Sequence, residues 1–143
     1  MIELIKDVKK LESTCYFEFL PGIYVKEYWN KECVFIYYLH IGYIEPILAK
    51  YINDYDYYSF MSVDKTTWQE IIKDLNSMKE ILRKSNNLDE FTSKFTFNLR
   101  DIEENFTKDF ETSKVELIKM INDFALWIRE TLKNHNKIAV MGM

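Results

Sequence analysis

Glycine is scarce. The chain has three, Gly22, Gly42 and Gly142, and none belongs to a Gly-rich loop. Phosphate-cradling loops need glycines so that the backbone can approach the anion, so nucleotide folds of the usual kinds are excluded. Histidine and cysteine are equally few. His40 and His135 are far apart in sequence, and Cys15 and Cys33 make no CxxC pair, which leaves no zinc-site spacing. In a reducing cytosol both cysteines are expected as free thiols. The longest apolar run, "CVFIYYLHIGYI", contains His40 and Gly42 and is too short to span a bilayer. The opening "MIELIKDVKK" carries Glu3 and Asp7 and has no long apolar segment, so it does not read as a signal peptide. The expectation is a cytoplasmic protein with no membrane contact. Basic runs are no longer than the pairs Lys9-Lys10 and Arg83-Lys84, and 19 Lys+Arg against 23 Asp+Glu give a charge of −4. Gripping phosphates needs clustered cations, so direct nucleic-acid binding is disfavoured and a basic protein partner is permitted.

Aromatic side chains are abundant: ten Tyr, ten Phe and three Trp among 143 residues. That length is enough for one domain, residues 1–143, with a sizeable core. Rings bring large apolar area, but each tyrosine hydroxyl needs water or a partner, so several tyrosines are expected at half-wet boundaries.

The coarse reading starts with a short helix over "MIELIKDVKKLES", where Leu4, Ile5, Val8 and Leu11 have near-helical spacing. The runs "CYFEFL", "IYVKEYW" and "CVFIYYLHI", separated by Pro21-Gly22 and "NKE", read as an antiparallel meander. A three-residue loop would pair Phe17 with Val25 and gather apolar side chains on one face, and a two-residue loop would pair Phe17 with Lys26. Cys15 and Cys33 would then sit on the first and third strands, about 9–10 Å apart across the middle one. A short helix fits "YIEPILAKYI", and "DYDYYSFMSV" suits a fourth strand or extended edge. There, alternation puts Tyr55, Tyr57 and Ser59 on one side and Asp56, Tyr58 and Phe60 on the other. Residues 66–84 form the clearest helix, with capping-box spacing at Thr66/Gln69 and Thr67/Glu70 and a stripe of Trp68, Ile71, Ile72, Leu75, Met78 and Leu82. "FTSKFTFNL" fits strand or helix. A second long helix covers roughly 113–133, with Ser113 and Glu116 as its capping box. Its stripe of Ile118, Ile121, Ala125, Ile128 and Leu132 is widened by Leu117, Phe124 and Trp127. "KIAVMGM" ends the chain as a short strand. The fold class is therefore α+β: an N-terminal antiparallel meander packed against two long C-terminal helices, with a short terminal strand.

Catalytic kits are poorly represented. Cys33 and His40 on one extended strand would be about 23 Å apart. Cys15 with His40 is geometrically possible, but a small buried thiol and a satisfied histidine are the ordinary reading. Glu18, Glu27 and Glu45 could serve as paired carboxylates, yet no spacing brings two together. No enzyme, metal or cofactor is expected. What remains is surface chemistry. "YINDYDYYSF" supplies Tyr51, Asp54, Tyr55, Asp56, Tyr57 and Tyr58, and "RDIEENFTKDFE" supplies Asp101, Glu103 and Glu104. Tyrosine gives large contact area at low entropy cost, and neighbouring carboxylates steer a basic partner. These nine residues are the candidate partner-binding set. The alternative is ordinary packing, an edge strand with exposed tyrosines and a solvated helix with Phe106 and Phe110 buried.

The aromatic N-terminal run, the acidic tyrosine tract, "TTWQEIIKDLNSMKEIL" and the closing "LIKMINDFALWIRETLKNHNKIAVMGM" together resemble a family of small bacterial proteins. These are the cytosolic immunity proteins of polymorphic-toxin and contact-dependent growth-inhibition systems. The resemblance implies a non-catalytic inhibitor that binds one cognate toxin domain, often a nuclease, and it transfers no functional residues. The competing expectation is a regulatory or adaptor protein, or a homodimer using the same tyrosine face.

Overall fold

Alternating apolar side chains build strands β1 (Tyr16–Pro21) and β2 (Val34–Tyr37), followed by a helical turn α1 (Tyr38–Ile41) and helix α2 (Glu45–Tyr51). Strand β3 (Phe60–Asp64) leads into α3 (Lys65–Lys84), and then come α4 (Leu88–Thr92), α5 (Arg100–Lys108), α6 (Phe110–Thr131) and β4 (Lys137–Met141). This computed structural model describes residues 1–24, 29–95 and 100–143. The strands form one antiparallel sheet in the order β2-β1-β4-β3. The α+β class, the long C-terminal helices and the terminal strand all stand.

The sheet is not a sequential meander, however. β1 pairs directly with β2, Phe17 opposite Ile36, and on its other side with β4, Phe19 opposite Val140. The run expected as third strand thus lies beside the first. The C-terminal strand takes the flank of β1 expected for "IYVKEYW". Ile138 to Met141 are all buried, and a strand apolar on both faces suits the middle of a sheet, whereas Lys26 and Glu27 do not. Val25–Tyr28, and with them the Phe17–Val25 and Phe17–Lys26 registers, lie outside the described residues. Continuing the β1–β2 register puts Cys33 near Leu20, so the cysteines sit at opposite ends of a strand pair, about 17 Å apart rather than 9–10 Å. No disulfide joins them. β2 also stops early. The Tyr38 N–H bonds to Cys15 O as the last rung, and the turn that follows buries Ile41 and Ile44. His40 therefore lies in a helical turn, and the extended Cys33–His40 span does not exist.

The N-terminal helix is likewise replaced by extended chain. Ile5 forms a two-way backbone bridge with Phe35 at 2.9 and 2.8 Å, and only Val8–Lys10 makes a single 3-10 turn. Ile2 and Leu4 enter the main core while Ile5 enters a second cluster, a two-sided pattern that one helical stripe cannot supply. The open edge of β2 offers the backbone partners.

α3 and α6 cover the inner sheet face. Phe19, Trp68 and Phe124 meet at ring separations of 4.6 to 6.1 Å, and the Trp68 indole donates to Ile138 O at 3.3 Å. The expected α3 stripe is buried throughout. In α6, Leu117, Ile121, Phe124, Ala125 and Ile128 are buried, with Ile118 and Trp127 half-buried. Both helices begin earlier than the capping boxes suggest, because aspartates cap them: Asp64 accepts from Thr67 N–H and Asp109 from Thr112 N–H. Glu116 instead accepts from Ile2 N–H at 3.1 Å. The ambiguous "FTSKFTFNL" begins as helix α4. Phe91 stacks on Phe95 at 5.8 Å, and the residues after Phe95 up to Leu99 lie outside the described part.

The outer sheet face is smaller and more open. Tyr16, Leu20, Phe35, Ala139 and Met141 form its apolar cluster, partly roofed by Ile5, Val8, Leu11 and Tyr24. Among the described residues, no helix is long and apolar enough to cross a membrane.

Candidate functional site

The tract from Tyr51 to Phe60 connects α2 to β3, and its conformation sorts its side chains. Asp54 turns the chain with φ of 57°, a left-handed geometry that Asp tolerates better than most residues. The Asp56 carboxylate then accepts from Tyr58 N–H and from the Ser59 hydroxyl, each at 2.9 Å. These bonds hold its carboxyl below the ordinary carboxylate range, the Tyr58 amide contributing most. Tyr57 O and Ser59 O accept from Met143 and Gly142 N–H at 2.9 and 3.0 Å, extending the β3–β4 ladder. Only glycine fits at 142, since a Cβ there would press on Tyr57 O and lie 2.8 Å from Ser59 O.

The resulting alternation is the one the sequence suggested. Tyr55 and Tyr57 are half-buried against the core, and Asp54, Asp56 and Tyr58 are exposed. The Tyr57 ring meets Phe17 at 5.1 Å. The Tyr55 hydroxyl is buried, and burial, aided by the Glu45 carboxylate, pushes its ionisation well above the usual tyrosine range. Tyr51 is also half-buried, with the Lys50 ammonium 4.9 Å from its ring centre. Lys50 in turn pairs with Asp74 at 2.9 Å, tying α2 to α3. Of the four tyrosines in the tract, Tyr58 alone offers most of its surface to a partner, at 75% exposure.

The second acidic tract belongs to α5. Its described contacts are with α6 and Tyr43, through Phe106, which is buried 5.4 Å from the Tyr43 ring and 5.7 Å from Phe110. Glu104 is exposed, while the side chains of Asp101 and Glu103 lie outside the described residues. The helix thus buries an aromatic edge and leaves Glu104 in solvent.

Three residues outside the candidate set join Tyr58. Glu18, on the outer face of β1, is buried to 4% exposure, and one of its oxygens accepts from Trp29 N–H at 3.0 Å. Burial pushes its carboxyl up, and the Trp29 hydrogen bond partly opposes that. Trp29 itself has φ of 56°, a costly backbone for a bulky residue. Above Glu18 lies a cavity of about 500 Å³, walled by Tyr16, Trp29, Tyr58, Phe60 and Met141, among others. Trp29 and Phe60 are 39% and 40% exposed, large for such rings, and Tyr24 packs against Phe60 at 4.7 Å. Phe60 also lines a shallower groove along β3 that contains Asp54 and Asp64. Cavity and groove therefore meet at Phe60, the groove carrying Asp54 and Asp64 together with Lys137. Sequence carried a signal for Glu18: a lone charge in "YFEFL", where both alternating faces are otherwise apolar. Trp29 and Phe60 carried none beyond their size.

Of the residues weighed for catalysis, Glu27 lies outside the described residues, and Glu18, Glu45 and His40 stand in different surroundings. Among the described residues Glu18 is the one acidic side chain lining its cavity, and Glu45 sits by Tyr55. His40 lines a separate cavity with Tyr16, Tyr37, Glu3 and Glu12. Its ring lies 5.5 Å from Tyr37 and 6.1 Å from Tyr43, with Nδ1 buried and without a hydrogen-bond partner among the described residues. Burial, helped by the N-terminal ammonium, pushes it down to about 4, so it is neutral at pH 7. Among the described residues, no three His, Cys, Asp or Glu side chains gather to hold a metal ion. No protein-family model matches the chain, and no curated protein or solved structure does.

Proposed function

We propose that this protein is a non-catalytic binding protein of the immunity type, which neutralises a basic toxin domain in the cytoplasm. The carrying observation is the surface around Phe60. Trp29, Tyr58 and Phe60 are exposed rings, with the deeper Glu18 in the same cavity, Asp54 and Asp64 in the adjoining groove beside Lys137, and Asp56 bonded to the Tyr58 amide. Exposed rings of this size are enriched at recognition sites, and carboxylates around them accelerate encounter with a cationic partner. The held backbone of residues 56–59 supports the reading, since a surface ordered in advance loses less entropy on binding.

Co-expression tests it. A toxin domain encoded beside this gene should stop growth alone and be tolerated with this protein present. Association should slow steeply as salt rises from 50 to 500 mM, because exposed charges are screened over about a Debye length. Absence of protection by any neighbouring gene product's partner, with no complex formed, would end the immunity reading.

One observation favours a second reading. β3 is a sheet edge whose only strand neighbour among the described residues is β4, and an open edge can pair with a second copy. Sedimentation at tens of micromolar separates the two: the immunity reading expects a monomer, and a stable dimer lost on substitution in β3 supports self-association.

A further inference from the structure

A carboxylate taken out of water costs free energy unless a charge or several hydrogen bonds compensate it. Glu18 receives one backbone N–H from Trp29, and among the described residues it forms no ion pair. Fixing Trp29 would need only an acceptor, which Gln supplies without the cost. Among the described residues nothing else offsets this charge, and the cavity above Glu18 gives room for an outside group that would.

The cavity over Glu18 shows what fits. Among the described residues, its walls bring Tyr16, Trp29, Tyr58 and Phe60 around the Glu18 carboxylate. Its volume of about 500 Å³ lies in the range of small-ligand sites, roughly 300–1,000 Å³. An apolar group would leave Glu18 buried and unpaired. An anion would be repelled. A hard metal ion needs more oxygen ligands than one carboxylate supplies. A cation with a flat face satisfies both parts, because ring faces attract positive charge and the carboxylate accepts its N–H groups.

We infer that this cavity is the receptor for one arginine side chain of the protein partner, its guanidinium stacked among Trp29, Tyr58 and Phe60 and hydrogen-bonded to Glu18. This rests on the reading that the surface around Phe60 binds a basic protein. Arginine fits better than lysine because guanidinium is planar, stacks on rings and is more weakly hydrated than ammonium.

The test needs no partner. The full-length protein is titrated with N-acetyl-arginine methylamide and followed by ¹H–¹⁵N NMR. The Trp29 indole and the Gly142 amide should shift saturably, with Kd of about millimolar. The citrulline analogue, which has the same shape without the charge, should bind at least tenfold more weakly. Glu18→Gln should remain folded and lose at least tenfold in affinity for the arginine probe. Equal binding of the citrulline probe, or unchanged arginine binding by folded Glu18→Gln, would overturn the proposal. Tighter binding of the lysine analogue would overturn the choice of arginine. Failure of the probe while a toxin still binds in a Tyr58-dependent way would remove the arginine receptor and leave the function reading standing. Failure of toxin protection with the probe bound would do the reverse.

Discussion

Burial works against the charged forms of both His40 and Glu18, and their effects on stability have opposite signs. His40 is held down to about 4 in the folded protein, against about 6.5 in an unfolded chain. Between those values the unfolded state binds more protons, so stability must fall as pH drops through that window and level off below it. The loss is up to about 3 kcal/mol for a shift of this size. Glu18 is raised by burial, so the folded state holds its proton more tightly and its protonation at low pH opposes the loss. Urea midpoints measured from pH 7.5 to 4.5 should therefore decline, and His40→Gln should flatten most of the decline. A parent curve flat between pH 6.5 and 5 would mean that the imidazole is wetter than its surroundings imply. Asp56 and Asp64, held low by their hydrogen bonds, act only in a more acidic window. The same local detail reshapes how the acidic tract is probed. Asp56 closes a turn, so reversing its charge perturbs the backbone as well as the field, and Asp54 or Tyr58 gives a cleaner reading.

At the level of elements, the long helices were legible and the sheet order was not. Trp68 through Leu82 repeats every three to four residues, and that period survives any tertiary arrangement. Helix starts were misread by a few residues because an aspartate just upstream, Asp64 or Asp109, outcompeted the Ser/Thr boxes. Strand pairing depends on partners distant in sequence. "KIAVM" gave no hint that it would sit between β1 and β3, beyond being apolar on both faces. The N-terminal segment was misread for a related reason: the open edge of β2 decides its backbone, and that edge is invisible in residues 1–13. The α6 stripe is tested directly. Ile121 and Ile128 are fully buried, so either change to Ala should cost roughly 2–5 kcal/mol of stability. A denaturant midpoint within error of the parent for both would contradict the placement of α6 on the sheet.

The whole molecule has two unlike sides. α3 and α6 seal the inner sheet face around Phe19, Trp68 and Phe124. The outer face keeps a cavity, a buried carboxylate and exposed rings. Composition foretold a half-wet aromatic boundary and pointed to Tyr58. It overcounted the tract, because Tyr51, Tyr55 and Tyr57 lean on the core, it weighed Glu18 only as half of a carboxylate pair, and it passed over Trp29 and Phe60, which only the fold brings to Glu18. The central claim is that this side, not the helical one, grips a basic protein. The most direct measurement is the dissociation constant for the neighbouring toxin domain of two folded variants, Tyr58→Ala and Leu126→Glu. Leu126 lies on α6 and is 54% exposed, so it reports on the helical side. The account predicts that Tyr58→Ala weakens binding about 30-fold or more, the effect of an interface anchor, while Leu126→Glu stays within about twofold, as a substitution outside an interface does. Unchanged affinity in Tyr58→Ala together with lost affinity in Leu126→Glu would contradict it.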